Sequence, residues 1–364
     1  MLLEHVILSN FRNISRLDWS PDPRLNVLIG NNAQGKTSII ESIYLAGYLK
    51  SFRFAKNEHL IQQGHKSALI DLKISSLSIR KKIKIIFNKD SKDVLINDKK
   101  PDSYQDFFSG LAPVLFAPEE IQLIRGTPSG RRTLIDRAVF QGNAQFIRST
   151  IDYNRYLRQR NKLLKEDRPS EEIFPWTQGL IQTGARIRAE RIRYLNKISP
   201  FFREVYGKIT ADVERAEPGY LIDISDESVL AQQLSEEFMR TSERERLWKQ
   251  TLAGPHRDDP VFTIDGKPLR QYASQGQQRS FVLAFKISQI LELEERTGVT
   301  PVLLLDDLTS ELDQQRQKFF FDFIQQRSGQ VFITTTDIDP LIRRGLTDGT
   351  FYAVEGGAIH PVAH

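Results

Sequence analysis

The sequence predicts an α/β fold in which a helical arm and second lobe interrupt the main lobe. Three observations predict it. Residues 30–37, Gly30-Asn31-Asn32-Ala33-Gln34-Gly35-Lys36-Thr37, fit G-x-x-x-x-G-K-[ST] in full. A strand pattern precedes them (Leu25, Val27, Ile29) and a helical one follows (Ile39, Ile40, Ile43, Ala46). Far along the chain, residues 301–307 (PVLLLDD) have the form of a buried strand ending in carboxylates. Between the two, residues 129 to about 200 hold long stretches without Gly or Pro, dense in Arg, Gln, Leu and Ile, the composition of long helices.

The elements follow in order. Residues 2–11 (LLEHVILSNF) suit a first strand that ends at Asn10-Phe11-Arg12-Asn13, and residues 24–29 lead into the glycine-rich loop. Residues 69–87, the turn Asn88-Lys89-Asp90 and the run Val94-Leu95-Ile96 predict antiparallel hairpins, with Asn97-Asp98 as a further turn. Ile151, Leu157, Leu163 and Leu164, with Tyr153 and Tyr156 between them, predict one amphipathic helix. Pro169 and Pro175 predict a break over 169–175, and residues 176–198 a second helix packed back on the first. No heptad register is sustained. Residues 218–224 and 261–264 read as strands, with Asp265-Gly266 as a hairpin turn. Residues 276–293 predict a strong helix with Phe281, Ala284, Phe285, Ile287, Ile290 and Leu291 on its apolar side, stopped by Thr297-Gly298. Residues 302–305 and 331–334 read as buried parallel strands. The expected division is 1–122 for the first part of the main lobe, 123–250 for the arm and second lobe, and 251–364 for the rest of the main lobe.

Composition bounds the function classes. The chain has 364 residues, 40% hydrophobic and 27% charged, as in globular proteins with a sizeable core. No apolar run reaches the length of a membrane span, and Met1-Leu2-Leu3-Glu4-His5 lacks the regions of a signal peptide. Cytoplasm is the expected location. With no cysteine, disulfides, thiolate zinc sites and thiol catalysis are excluded. The net charge is +5, but the eleven Arg and Lys between 125 and 168 face only four acids, a local balance of +7. Such a segment is an electrostatic footprint for a polyanion. Arg155, Arg158, Arg160, Lys162 and Lys165 on the first long helix, and Arg186, Arg188, Arg191 and Arg193 on the second, are the candidates to meet a polyanion's phosphates; a charged helix face can also be merely solvated.

The chemistry-bearing residues point to a nucleoside triphosphate. In the loop, backbone N–H groups of Gly30 through Gly35, and the helix start at Lys36, Thr37 and Ser38, are placed to surround phosphates. Lys36 reaches the β- and γ-phosphates as a catalytic cation, and the Thr37 hydroxyl ligates Mg²⁺. Asp306 is the expected second Mg²⁺ ligand, direct or through water, and Asp307 the group that orients or deprotonates the attacking water. Ser274-Gln275-Gly276-Gln277-Gln278-Arg279 is a polar turn opening the strong helix; it suits an anion site or an ordinary N-cap. Ser310-Glu311-Leu312-Asp313 opens another helix, with Ser310 as a candidate N-cap. Thr334-Thr335-Thr336-Asp337 ends a core strand where a polar group could touch the γ-phosphate or water.

These segments together resemble the ABC/SMC-type ATPase heads of chromosome maintenance and repair, and most closely the RecF family. NFRN (10–13), GNNAQGKTSIIESI (30–43), SFR (51–53), GPHRDD (254–259), SQGQQRS (274–280) and LLLDDLTSELD (303–313) carry the resemblance over nearly the whole chain. It implies a P-loop ATPase head with ATP and Mg²⁺ as cofactors. Ser274, Gln275, Gly276 and Gln277 would then be the signature that caps ATP bound by a second subunit, and SELD the D-loop. Arg12 would contact nucleotide. The implied function is an ATP-dependent, homodimeric DNA clamp with slow hydrolysis. It would work with RecR and RecO in loading recombinase at gaps, in DNA replication, recombinational repair and the SOS response. Asp307 stands where many cassette ATPases have Glu. Residues 116–120 offer Glu119 and Glu120 where a Q-loop glutamine is common, and the usual His after the last strand is replaced by Asp337 or a neighbouring Thr. Residues 254–259 suit either a turn in which Arg257 pairs with a nearby Asp or a connector that senses nucleotide state. The alternative function is the nucleotide-binding subunit of a transporter, which shares the cassette but needs no basic arm.

Overall fold

The computed structural model describes residues 1–76, 79–103, 107, 111–307 and 312–362. The chain forms two compact units: Met1–Ile121 with Lys208–Ala211 and Gln275–His364, and Gln122–Gly207 with Asp212–Ser274. The expected return to the main lobe at residue 251 is corrected, because residues 251–274 belong to the second unit. Long-range ion pairs hold them there: Asp258 binds Arg188 and Asp259 binds Arg131.

Among the described residues the first unit contains two sheets, with strands numbered in chain order. The antiparallel sheet has the order β2 (Ile14–Trp19), β1 (Leu2–Phe11), β4 (Ser67–Ser76), β5 (Ile79–Asn88), β6 (Lys92–Ile96). The other has the order β14 (Ala358–Val362), β13 (Thr350–Glu355), β3 (Leu25–Ile29), β12 (Val331–Thr335), β11 (Val302–Asp306), β7 (Pro113–Phe116). From β13 to β7 all neighbours are parallel; only the edge strand β14 runs against them. The central strands β11 and β12 are buried at every position, which is why their sequences run apolar without alternation. Helices Lys36–Tyr48, Gln275–Thr297 and Gln314–Gln325 belong to this unit. The last is capped by Asp313, whose side chain accepts from Arg316 N; Ser310 lies outside the described residues.

The second unit is mainly helical, with helices Pro128–Phe140, Ala144–Lys165, Ser170–Thr210 as far as Gly207, and Glu227–Trp248, and a small sheet β10 (Lys267–Pro268), β9 (Val261–Ile264), β8 (Ala216–Gly219). The expected break over 169–175 is shorter: the helix begins at Ser170 and runs through Pro175 and Pro200. An interior proline costs roughly 3 kcal/mol. Burial of Leu180, Ile181, Ile187, Ile192, Leu195, Ile198 and Phe202 along one face offsets it. The strand expected over 218–224 is β8 at Ala216–Gly219. The 227–248 helix had no strong apolar pattern, since it buries only Leu230, Leu234, Phe238 and Glu245. Among the described residues, no helix is long and apolar enough to cross a membrane.

Candidate active site

The loop after β3 is shaped by two glycines. Gly35 sits at φ 113, left-handed backbone that any side chain would strain, and ends the loop as the helix N-cap. Gly30 packs so close to β13 that a Cβ there would lie 2.5 Å from the Val354 carbonyl oxygen. The β13–β14 turn holds the loop from one side: Gly356 N donates to Gln34 Oε1 and Gly357 N to Gln34 O, both at 2.8 Å. Asn13 holds it from another, with Nδ2 donating to Ala33 O at 3.0 Å and Oδ1 accepting from Ser38 Oγ at 2.9 Å. Lys36 Nζ donates to Gly30 O at 2.7 Å and Asn31 O at 2.9 Å. Burial lowers the Lys36 pKa, while Asp307 and Asp306 oppose that shift.

Parallel strands deliver their carboxyl ends to one edge, where open α/β sheets bind ligands. β3 ends there in the loop, β11 in Asp306 and β12 in Thr334-Thr335. Register places Thr334 beside Asp306, and Thr335 beside Ile29. Asp306 Oδ1 accepts from Thr37 Oγ1 at 3.0 Å and from Thr334 Oγ1 at 2.7 Å. The Asp306 carboxyl is 5% exposed, and burial raises its pKa against the pull of both hydroxyls. Asp307 turns into left-handed backbone at φ 49, with its N–H on Thr334 Oγ1 at 3.0 Å. Lys36, Thr37, Asp307 and Thr334 line a cavity of about 550 Å³ with Arg12, Asn13 and Arg53, while Asp306 lies behind the lining, hydrogen-bonded to Thr37 and Thr334. Cationic, hydroxyl and carboxylate groups converge at the positive end of a helix, an arrangement that suits a polyphosphate.

Of the candidate residues, Arg12, Asn32, Ala33, Gly35, Lys36, Thr37, Ser38 and Asp307 line this cavity. Gly30, Asn31 and Gln34 act behind it, through close packing, a carbonyl and the turn contacts above. Gln275, Gly276 and Gln277 form the first turn of the 275–297 helix and Ser274 precedes it; none of the four is part of the lining. Thr334 and Thr336 line the cavity, whereas Asp337 accepts from Asp339 N at 3.0 Å. Glu120 is fully buried against Lys286 at 2.5 Å, and Glu119 stands 3.9 Å from Arg53. Asn13 and Arg53 were not singled out as site residues. Their only sequence signal was their place in the NFRN and SFR segments.

Comparison with known proteins places this geometry in a family. The RecF/RecN/SMC N terminal domain profile matches residues 2–343. A protein of Syntrophotalea carbinolica named DNA replication and repair protein RecF is 44% identical, over 99% of each chain. One of the same name from Geobacter sulfurreducens is 39% identical over 100% of each. The chain belongs to the RecF family. A solved structure of the recombination mediator protein RecF-ATPrS in the RecFOR pathway superposes with a TM-score of 0.89 at 29% identity, covering 99% of this chain and 98% of that one. An SmcHead bound to the C-winged helix domain of ScpA shares the fold alone, with a TM-score of 0.57 at 15% identity, covering 100% of this chain and 97% of that one. The fold is thus the α/β P-loop head of the ABC/SMC type. RecF membership overturns the transporter alternative.

The basic candidates divide by burial. Arg160, Arg188 and Arg191 are corrected: they are structural. Arg160 pairs with Glu245 at 2.6 Å, Arg188 with Glu237 and Asp258 at 2.9 and 2.7 Å, and Arg191 with Asp136 at 2.7 Å; each arginine side chain is at most 6% exposed. Arg186 and Arg193 are half-exposed, and both bind Glu227. Arg155, Arg158, Lys162 and Lys165 are exposed. Residues 254–259 lie at the centre of this ionic core. Asp258 accepts from Arg188 and from the Tyr220 hydroxyl, and Asp259 from Arg131. Arg257 donates to Thr251 O rather than pairing with an Asp. Burial holds His256 neutral, its pKa pushed down to about 4.

Proposed function

We infer that this chain is an ATP-dependent DNA clamp of replication and recombinational repair, closing as a homodimer on ATP and reopening on hydrolysis. The observation that carries the reading is the meeting of Lys36, Thr37, Asp306 and Thr334 at one sheet edge. Lys36 neutralises charge on the β- and γ-phosphates, and the helix N-terminus beside it adds partial positive charge. The donors at Thr37 and Asp306 are hard oxygens, the set that suits Mg²⁺. Among the described residues no cluster of acids or histidines forms a closed metal cage, so phosphate oxygens and water would complete the shell. Mg²⁺ would supply electrophilic stabilisation of the phosphate oxygens. Asp307, held by its backbone bond to Thr334, orients the attacking water and takes its proton. Its side chain is one methylene shorter than Glu, which suits slow turnover. Ser274 to Gln277 cap the γ-phosphate held by the second copy, so neither copy is complete alone.

DNA lies along the solvent face of the 144–165 helix. Arg148, Arg155, Arg158, Lys162 and Lys165 fall on one stripe opposite buried Ser149, Tyr153, Arg160 and Leu164. At 1.5 Å per residue the stripe runs about 26 Å, long enough to follow several phosphates without reading bases. RecR and RecO are the partners in this reading, and cytoplasm the location. Sedimentation with Mg²⁺ and ATP tests the switch. The natural protein dimerises with ATP, Lys36→Arg dimerises weakly, and Ser274→Arg binds ATP yet stays monomeric. A Ser274→Arg dimer of normal affinity refutes the shared site.

A further inference from the structure

Glu41 lies on the helix that follows the phosphate loop and is fully buried. Both of its carboxylate oxygens are engaged. Oε2 accepts from Arg12 Nε at 2.8 Å; Oε1 accepts from Arg12 Nη2 at 2.8 Å and from the Ser51 hydroxyl. Arg12 occupies left-handed backbone at φ 55 in the turn between β1 and β2. Its N–H donates to Leu60 O at 2.9 Å and its Nη1 to His59 O at 2.8 Å. A guanidinium carries one N–H on Nε and two on each terminal nitrogen. The carboxylate and the His59 carbonyl therefore leave one N–H on Nη1 and one on Nη2. The side chain is 19% exposed and lines the phosphate-loop cavity.

A bidentate pair fixes the plane of a guanidinium as well as its position. Here the carboxylate that fixes it rides on the same helix as Lys36 and Thr37. Arg12 comes from a distant strand turn, yet its orientation is referenced to the element that presents the phosphate loop. The Ser51 hydroxyl, which also accepts from Arg53 N at 3.0 Å, ties the following loop to the same carboxylate.

We propose that Glu41 is a positioning residue of the nucleotide site: it orients Arg12 so that the remaining N–H groups face the bound nucleotide. This rests on the reading that the cavity binds ATP. The proposal distinguishes Glu41 from a buried ion pair that serves stability alone, because its loss must be felt in nucleotide affinity through Arg12.

The test is a double-mutant cycle on the full chain, with ATP affinity measured by titration and unfolding followed without nucleotide. Arg12→Ala and Glu41→Gln should each weaken ATP binding about tenfold, the size of one lost charge-assisted hydrogen bond. The double variant should be no weaker than either single one. Arg12→Lys keeps the charge and leaves the buried carboxylate a partner, but cannot make the planar pair. It should weaken ATP binding as Arg12→Ala does, which keeps the proposal testable if Glu41→Gln fails to fold. Glu41→Gln with reduced stability and natural ATP affinity overturns the proposal, as does a double variant whose loss is the product of the single losses. Natural affinity in Arg12→Lys overturns it too. If Arg12→Ala binds ATP normally while Lys36→Ala does not, the Arg12 role falls and the ATP reading stands. Absence of ATP binding by the natural protein removes both.

Discussion

Asp306→Asn separates the cost of this site from its use. The carboxylate is 5% exposed and takes two hydroxyl hydrogen bonds on one oxygen. Taking such a group out of water costs about 4 kcal/mol, and charge assistance from two hydroxyls returns about 1 kcal/mol each. Asn keeps the accepting oxygen and removes the charge. Without nucleotide or Mg²⁺, the variant should be more stable than the natural protein by about 2 kcal/mol at neutral pH. The pH dependence has a definite sign. The folded pKa lies above the ordinary 3.8, so the folded chain takes up a proton that the unfolded chain would release. The carboxyl's stabilising contribution is complete below 3.8 and is lost as pH rises through the folded value. The advantage of Asn therefore shrinks as pH falls through that value toward 3.8 and is largest at neutral pH. Urea unfolding in a chelator across this range measures it. Mg²⁺-dependent ATP affinity, measured in parallel, should fall at least tenfold, one charge-assisted contact. A variant less stable than the natural protein at neutral pH refutes the desolvation argument. Retained Mg²⁺-dependent affinity refutes the metal role.

Asp307→Asn should still dimerise on ATP while hydrolysis slows on the order of 100-fold, read by phosphate release; full turnover would remove Asp307 from the mechanism. Replacing Arg148, Arg158 and Lys165 with Ala should reduce the log–log salt slope of DNA binding by about 2.7, at 0.9 per phosphate contact, with ATP affinity unchanged. A full-length slope would place DNA elsewhere. Asp258→Ala should destabilise the second unit by about 3–5 kcal/mol, because buried Arg188 and Tyr220 lose a shared acceptor. ATP affinity at its natural level, measured below the unfolding transition, would mark residues 254–259 as structural; a direct loss of affinity there would favour a nucleotide sensor.

How far each element could be read from sequence followed its local signal. The strand–loop–helix at residues 25–48 was legible because strand alternation, glycines and helical spacing agree within one short window. β11 and β12 were legible as uninterrupted apolar runs. β7 is a similar apolar run, Pro113–Phe116, but only four residues long and followed closely by Pro118, and β13 mixes polar and apolar residues without alternation. Pro175 signalled a helix break that burial of the helix face overrode. In the site, Lys36, Thr37 and Asp306 could be named from residue type and spacing. The basic arm misled, since charge counts register arginines without telling which meet acids from distant segments. Arg188 and Asp258 are 70 residues apart, and Arg160 and Glu245 are 85.

The sequence by itself determined a glycine-rich loop between strand and helix, two buried parallel strands and the carboxylates that end one of them. These follow from backbone preference and side-chain period, which act over a few residues. The tertiary structure decided which strand ends become neighbours. It interposed β12 between β3 and β11, so that Thr334 shares Asp306 with Thr37 across 269 residues of chain. It also decided which arginines are spent on buried carboxylates and which face water. Strand order and charge burial are set by packing between distant segments, because an apolar strand pairs as readily with several others until the whole core selects one arrangement.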